Sequence, residues 1–274
     1  MKYAKRTQKY VNFDTAAEAA TEGVRKHGFT TIQPKYDGWW ACIEVKGGAA
    51  RIFSRQGQLK DTMEWPDKGS AVLIGEYLVG TQRSVKGGAE GHLMVFDAVE
   101  VAKSVITGEA YRDRMEAAMD FCAGVPFVSH PDEYATSDYA RAWKNEVTVG
   151  GAEGLVFRSM RDPYDCTIGR VKQTFTMDYV VMAVEPGEGK HAGRMGRLVC
   201  GLFEGKKLVE VVRVGGGFKD HERDAAWKKP KDYIGRVIEV RGWQVFDSGA
   251  LRHPNFVRFR DDKSARECVK KEVR

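Results

Sequence analysis

Gln33-Pro34-Lys35-Tyr36-Asp37-Gly38 is the stretch on which the fold of this 274-residue chain turns. Proline fixes its own φ and glycine tolerates backbone angles closed to other residues. Pro34 and Gly38 therefore bracket a tight turn that presents Lys35 to one side. Taken alone, Lys-x-Asp-Gly is better explained as a surface turn with a solvated ion pair. Upstream, an Ala-rich run over residues 14–27 has cap-type residues at its start and Gly28 behind it, which predicts a helix. Downstream, residues 39–45 and 49–53 read as strands joined by Lys46-Gly47-Gly48, a hairpin.

Working outward, residues 71–79 and 92–99 read as buried strands and residues 111–123 as an amphipathic helix stopped by Gly124. A second helix is expected over 137–147, with strands at 154–157 and 170–173. Helices interspersed with hairpin-type strands predict an α+β domain rather than a parallel doubly wound sheet. After Met177 the texture changes to short strands with glycine punctuation, at 179–184, 197–203, 207–214, 236–240 (extending to 245) and 256–259. With one longer basic excursion over 218–233, this predicts a small Greek-key β-barrel of the OB type. The expected domains are 1–177 and 178–274.

Charge divides along the same line. Residues 178–274 carry 21 Lys and Arg against 15 Asp and Glu, whereas residues 1–177 carry 23 of each. The whole net charge of +6 thus sits on the last third of the chain, as in a polyanion-facing module joined to a neutral one. Hydrophobic residues at 42% and charged ones at 30% describe a globular protein, not a disordered chain. No uncharged apolar run reaches the ~18–20 residues of a membrane span, and no signal peptide is visible. The five cysteines are scattered and never spaced as metal ligands, and no two histidines pair at metal-ligand spacing. A cytoplasmic monomer, in a bacterial or phage-infected cell, is the expectation.

Several strands carry chemistry that a plain core would not. Leu73-Ile74-Gly75-Glu76 puts a carboxylate on a buried strand, and Glu153-Gly154-Leu155-Val156-Phe157-Arg158 opens another with an acid. Arg170-Val171-Lys172 places two cations on one strand face. Ser54-Arg55-Gln56-Gly57 closes the hairpin and Phe96-Asp97 ends a further strand. Together with the Lys35 stretch, and in this order, these elements resemble the motifs I, Ia, III, IIIa, IV and V of the covalent nucleotidyltransferase superfamily of ligases and capping enzymes. Residues 251–263, from Leu251-Arg252-His253-Pro254 to Asp261-Asp262-Lys263, resemble motif VI in the form found in short phage ATP-dependent DNA ligases.

The resemblance implies an adenylation domain followed by an OB domain, sealing nicks in duplex DNA with ATP and Mg²⁺ (Mn²⁺ replacing it), in DNA repair, replication or recombination. It implies Lys35 as the nucleophile that takes AMP, Asp37 as the acid organising the nick 3′-hydroxyl, and Arg55 as the residue holding the nick 5′-phosphate. Gln33 is implied to read the adenine amino group, Phe96 to stack on adenine and Glu76 to bind ribose. Glu153 is implied as the metal-binding acid, and Arg170 and Lys172 as the cations on the AMP phosphate. Arg252, Asp262 and Lys263 are implied to orient pyrophosphate, with Arg260 and Asp261 an alternative acid–base pair. Lysine has a reference pKa of about 10.4, so cations beside it would favour the neutral nucleophile.

One departure stands out: the family continues Lys-x-Asp-Gly-x-Arg, and here Trp40 holds the arginine position. Arg83, in Gly80-Thr81-Gln82-Arg83-Ser84, is a candidate substitute. Only 34 residues precede Lys35, too few for the nicotinamide-binding domain of NAD-dependent ligases. The alternatives are an RNA ligase or mRNA capping-type nucleotidyltransferase, and a catalytically dead OB-containing binding protein.

Overall fold

The computed structural model of the chain describes residues 8–79 and 91–270. It divides into two compact units, Met1–Lys172 and Gln173–Arg274. The division falls earlier than Met177 because the first strand of the second unit is already paired at Phe175, opposite Gly242. Arg83 lies outside the described residues.

In the first unit the strands are β1 (Lys9–Phe13), β2 (Thr31–Lys35), β3 (Trp39–Lys46), β4 (Ala49–Ser54), β5 (Leu59–Glu64), β6 (Ala71–Leu78), β7 (His92–Val101), β8 (Ser104–Val105), β9 (Val128–Ser129), β10 (Tyr134–Ala135), β11 (Gly154–Arg158) and β12 (Thr167–Lys172). One sheet runs β5-β4-β3-β6-β7-β8, with β9 beside β7; the other runs β1-β12-β11-β2-β10. Neighbours are antiparallel except β1 on β12 and β9 on β7.

Both faces of the larger sheet are covered, which is why its central strands read as continuous apolar runs. Ala41, Ile43, Val45, Leu73 and Val95 pack with Phe121 of the helix Tyr111–Cys122. On the other face Cys42, Ile74 and Val99 pack on Tyr164. Each fully buried Leu or Ile contributes about 1.5–3 kcal/mol. In the smaller sheet, Ile32, Leu155, Phe157 and Val171 bury against Ala16 and Ala19. These alanines lie on the helical stretch Ala16–Glu18, Ala19–Gly23 and Val24–His27, whose middle turn is a π-helix. Thr15 caps it by accepting from the Glu18 amide (3.1 Å), and Gly28, at φ +67°, ends it.

The Lys35 stretch differs from the expected turn. Gln33, Pro34 and Lys35 lie in β2, and the bend comes after them, at Tyr36-Asp37-Gly38. Proline is tolerated because β10 pairs only with Thr31 and Ile32, so Pro34 has a strand on one side alone.

The second unit is a five-stranded antiparallel sheet of β13 (Phe175–Pro186), β14 (Met195–Glu204), β15 (Lys207–Val214), β16 (Val237–Gly242) and β17 (Asn255–Phe259), ordered β15-β14-β13-β16-β17. Tyr179, Leu198, Val214, Ile238 and Val240 form its core. The five strands are those expected of an OB-type barrel, and among the described residues the sheet stays open between its edges. The edges β15 and β17 meet only where the Phe256 amide donates to the Gly216 carbonyl (3.0 Å), beside an isolated parallel bridge. Gly217 carries φ +88°, and a Cβ there would stand 2.3 Å from the Phe256 carbonyl oxygen, so the chain leaves the ladder at once. No helix among the described residues is long and apolar enough to cross a membrane.

Candidate active site

Because side chains alternate along a strand, the polar face of the smaller sheet is set by register. Gly154 of β11 lies between Lys172 on one side and Lys35 on the other, and Val156 lies between Arg170 and Gln33. The second row, together with Lys35 of the first, lines a cavity of about 240 Å³. Gly154 has no alternative: a Cβ there would come within 1.9 Å of the Val171 carbonyl oxygen. Glu153, just before it, bridges the two lysines of its row. One Glu153 oxygen is ion-paired with Lys35 Nζ, and the other lies 2.6 Å from Lys172 Nζ. Burial raises the Glu153 carboxyl, but the two lysines outweigh it and hold the group below the usual carboxylate range. Burial lowers the Lys172 ammonium against the opposing pull of Glu153, with Lys35 and Arg170 adding to the lowering.

The facing wall comes from the larger sheet. Asp97 and Val95 pair with the consecutive residues Ile74 and Gly75, so Phe96 is the extra residue of a β-bulge. The bulge turns Phe96 into the cavity, where it is partly buried, while Asp97 is fully buried. Glu76 lines the same wall, opposite Trp40 in the β3–β6 ladder. Burial pushes the Glu76 carboxyl up to about 7, against the attraction of Lys35 and the hydrogen bond from the Gly38 amide (3.0 Å). That bond needs the chain close: a Cβ on Gly38 would lie 2.7 Å from Glu76 Cγ and 2.8 Å from the Tyr77 carbonyl oxygen. Arg55 also lines the cavity, its guanidinium 5.4 Å from the Trp40 ring centre. Asp37 lies in the bend, partly buried, and is not among the residues that line the cavity.

At the inner end, Gln33 Nε2 donates to the Tyr111 hydroxyl (2.8 Å) and to Glu133 Oε1 (2.9 Å), while the Tyr111 hydroxyl donates to the Phe96 carbonyl (2.9 Å). Burial pushes the Tyr111 hydroxyl up to about 12, so it stays a donor. Asp97 is taken by the fully buried Arg114 in a bidentate pair of 2.8 and 3.1 Å. Arg158, which lines the cavity and is 5% exposed, lies only loosely against the same carboxylate at 3.6 Å. Its Nε and Nη1 have no hydrogen-bond partner among the described residues. Arg170 donates from Nε and Nη2 to Asn12 Oδ1 (3.2 and 3.0 Å) and stacks 4.1 Å over Tyr10.

Gln33, Lys35, Glu76, Phe96, Arg55 and Arg170 are thus brought to one cavity, with Glu153 and Lys172 joined to it through Lys35. Tyr10, Asn12, Tyr111 and Arg158 were missed. A charged residue ending the buried strand 154–158 is the same signal that drew attention to Glu76, and it would have found Arg158. Among the described residues no cluster of three His, Cys, Asp or Glu side chains could by itself hold a metal ion.

The motif VI candidates belong to the second unit. Lys263 Nζ is 2.7 Å from Asp178, and Arg260 reaches the same carboxylate at 3.0 Å while pairing with Asp262, also at 3.0 Å. Asp261 pairs instead with Arg236 (2.8 Å). Asp178 is therefore the shared anion of this patch, a residue that sequence reasoning left out. Arg252 follows β16, its amide donating to the Gln244 carbonyl (2.9 Å). In the basic excursion, Lys228, Lys229 and Lys231 are exposed. Arg223 is buried, its guanidinium donating to the Met195, Gly196 and Gly215 carbonyls.

The two-sheet unit followed by a five-stranded sheet is a fold that known proteins share. Residues 186–260 match the family described as DNA ligase OB-like domain. The chain is similar to a DNA ligase of Methanocorpusculum labreanum, 26% identical over 90% of this chain and 54% of that protein. It is 29% identical to a probable DNA ligase of Kineococcus radiotolerans over 63% of this chain and 39% of that one. The chain spans about half the length of the curated relatives it matches. A solved structure from work on Lig E DNA ligases shares its fold with TM-score 0.66 at 20% identity, over 93% of this chain and 100% of that one. The ligase domain of Mycobacterium tuberculosis LigD covers 99% of this chain and 100% of its own with TM-score 0.50 at 18% identity.

Proposed function

We propose that this chain is an ATP-dependent DNA ligase that joins a 5′-phosphate to a 3′-hydroxyl at nicks in duplex DNA. The observation that carries this is Lys35 at the edge of an aromatic-walled cavity, paired through Glu153 with a second lysine, Lys172. Lys35 Nζ attacks the α-phosphorus of ATP; the P–N bond forms, the bond to pyrophosphate breaks and the amine loses its proton. The AMP then passes to the 5′-phosphate of the nick, and the 3′-hydroxyl displaces it to close the strand. Lys172 and Arg170 offset the charge that grows on the α-phosphate. Phe96 offers a face to the base, Glu76 accepts from ribose hydroxyls, and the unpartnered Arg158 donors suit a ring nitrogen.

Glu153 is the residue that fits a divalent cation: a hard oxygen donor beside a phosphate site, with most remaining ligands drawn from the nucleotide and water. Such a cation polarises the phosphate and supplies positive charge. Glu153, if it held such a cation, would release Lys35 from their ion pair.

Incubation with α-labelled ATP and Mg²⁺ tests the assignment. Lys35→Ala is expected to remain folded and to lose both AMP labelling and ATP-dependent sealing. Labelling that persists at another lysine, or labelling by GTP in preference to ATP, would overturn it.

A further inference from the structure

Trp40 stands where the motif it resembles carries arginine, and it lies between β6 and a neighbouring arginine, Arg55. In the β3–β4 hairpin the ladder ends where Ala41 faces Ser54, and Arg55 opens the turn just past β4. On the β6 side Trp40 faces Glu76. Trp40 is thus paired with Glu76 in the ladder and carries the Arg55 guanidinium over its ring. Arg55 lines the same cavity as Lys35, Glu76 and Phe96. Its guanidinium lies over the indole at 5.4 Å and makes no hydrogen bond or ion pair with another described residue. Of the other arginines of the cavity, Arg170 is held by Asn12 and Tyr10, and Arg158, with unpartnered donors, is buried at 5% exposure among the Phe96 and Tyr111 rings, whereas Arg55 is exposed.

We propose that Arg55 contacts the sugar–phosphate portion of ATP during adenylation of Lys35, in place of the motif I arginine, and that Trp40 is its positioning residue. The proposal rests on the ligase assignment above and changes the step at which Arg55 acts, from holding the nick to binding the nucleotide. A planar guanidinium suits bidentate contact with phosphate or vicinal hydroxyls. The indole face supplies attraction without occupying any of the five N–H donors, so the fork stays available at the rim. An arginine at position 40 would instead sit directly beside Glu76.

The test measures initial rates of AMP labelling against ATP concentration, and separately the sealing of a nick already adenylated at its 5′ end. Arg55→Ala is expected to raise the KM for ATP about tenfold, as removal of one charge-assisted hydrogen bond would, with a smaller change in the saturating rate. Trp40→Ala should raise KM about threefold, Trp40→Phe should restore most of that, and Trp40→Ala should add nothing in the Arg55→Ala background. An Arg55→Ala protein with unchanged KM for ATP and a defect confined to the pre-adenylated nick would overturn the proposal. So would a Trp40→Ala effect that survives without Arg55. A wild-type protein that takes no label from ATP would overturn the ligase assignment itself, and a labelled wild type keeps the two failures distinct.

Discussion

Glu76 couples the fold to pH in a direction opposite to that of most surface carboxylates. Its carboxyl, ordinarily near 4.5, is pushed up to about 7 by burial. An unfolded chain therefore gives up this proton at a lower pH than the folded one does. The folded state is penalised progressively as pH rises from about 4.5 through 7, and the penalty levels off above that. A displacement of that size corresponds to about 3 kcal/mol at full ionisation. Glu76→Gln keeps an acceptor for the Gly38 amide and never ionises. Urea unfolding of the nucleotide-free protein, followed on the first unit's transition, should give nearly equal stability for wild type and Glu76→Gln at about pH 4, below the unfolded-state pKa. At about pH 8 the variant should be the more stable by up to about 3 kcal/mol. The same variant should bind ATP more weakly above about pH 7, because a neutral amide accepts less strongly from ribose hydroxyls than a carboxylate does. Stability curves that run parallel across that range would refute the burial argument.

Gly154→Ala forces the β11–β12 ladder apart and should cost more than the roughly 1–3 kcal/mol typical of overpacking, with loss of AMP labelling, read by thermal melting and the labelling assay. Arg252→Ala and Lys263→Ala should depress AMP labelling far more than sealing of a pre-adenylated nick, since pyrophosphate leaves only in the first step; equal losses would count against the motif VI assignment. Neutralising Lys228, Lys229 and Lys231 together should lower the slope of log nick affinity against log salt by about 0.9 for each phosphate no longer neutralised, and leave Lys35 labelling intact. An unchanged slope would mean that these lysines do not face DNA.

The hairpin of β3 and β4 could be read directly, because apolar runs flank Gly47 and Gly48, and both glycines adopt positive φ in the turn. Lys35, Glu76, Phe96 and Arg170, each a polar or aromatic residue in a recognisable stretch, line one cavity. What sequence could not reveal is register. Pro34 suggested a turn, yet one short neighbouring strand makes it acceptable within β2. The bulge that aims Phe96 depends on how β6 and β7 align, which no local pattern encodes. Asp178 becomes the partner of Arg260 and Lys263 only when β13 and the end of the chain come together. The five strands of the second sheet could be counted in the sequence, but count says nothing of how far its two edges approach.

The pairing of β1 with β12 carries a consequence for biosynthesis. Asn12 meets Arg170, 158 positions further on, and the strands between them complete the larger sheet first. At a ribosomal rate of about 5–20 residues per second, the amino-terminal strand waits roughly 8–30 s for its partner. Parallel contacts over such separations are also slow to form once both ends exist. The larger sheet can therefore be assembled while the floor of the cavity does not yet exist, and a nascent chain halted before Thr167 would carry Lys35 with neither Lys172 nor Arg170 beside it.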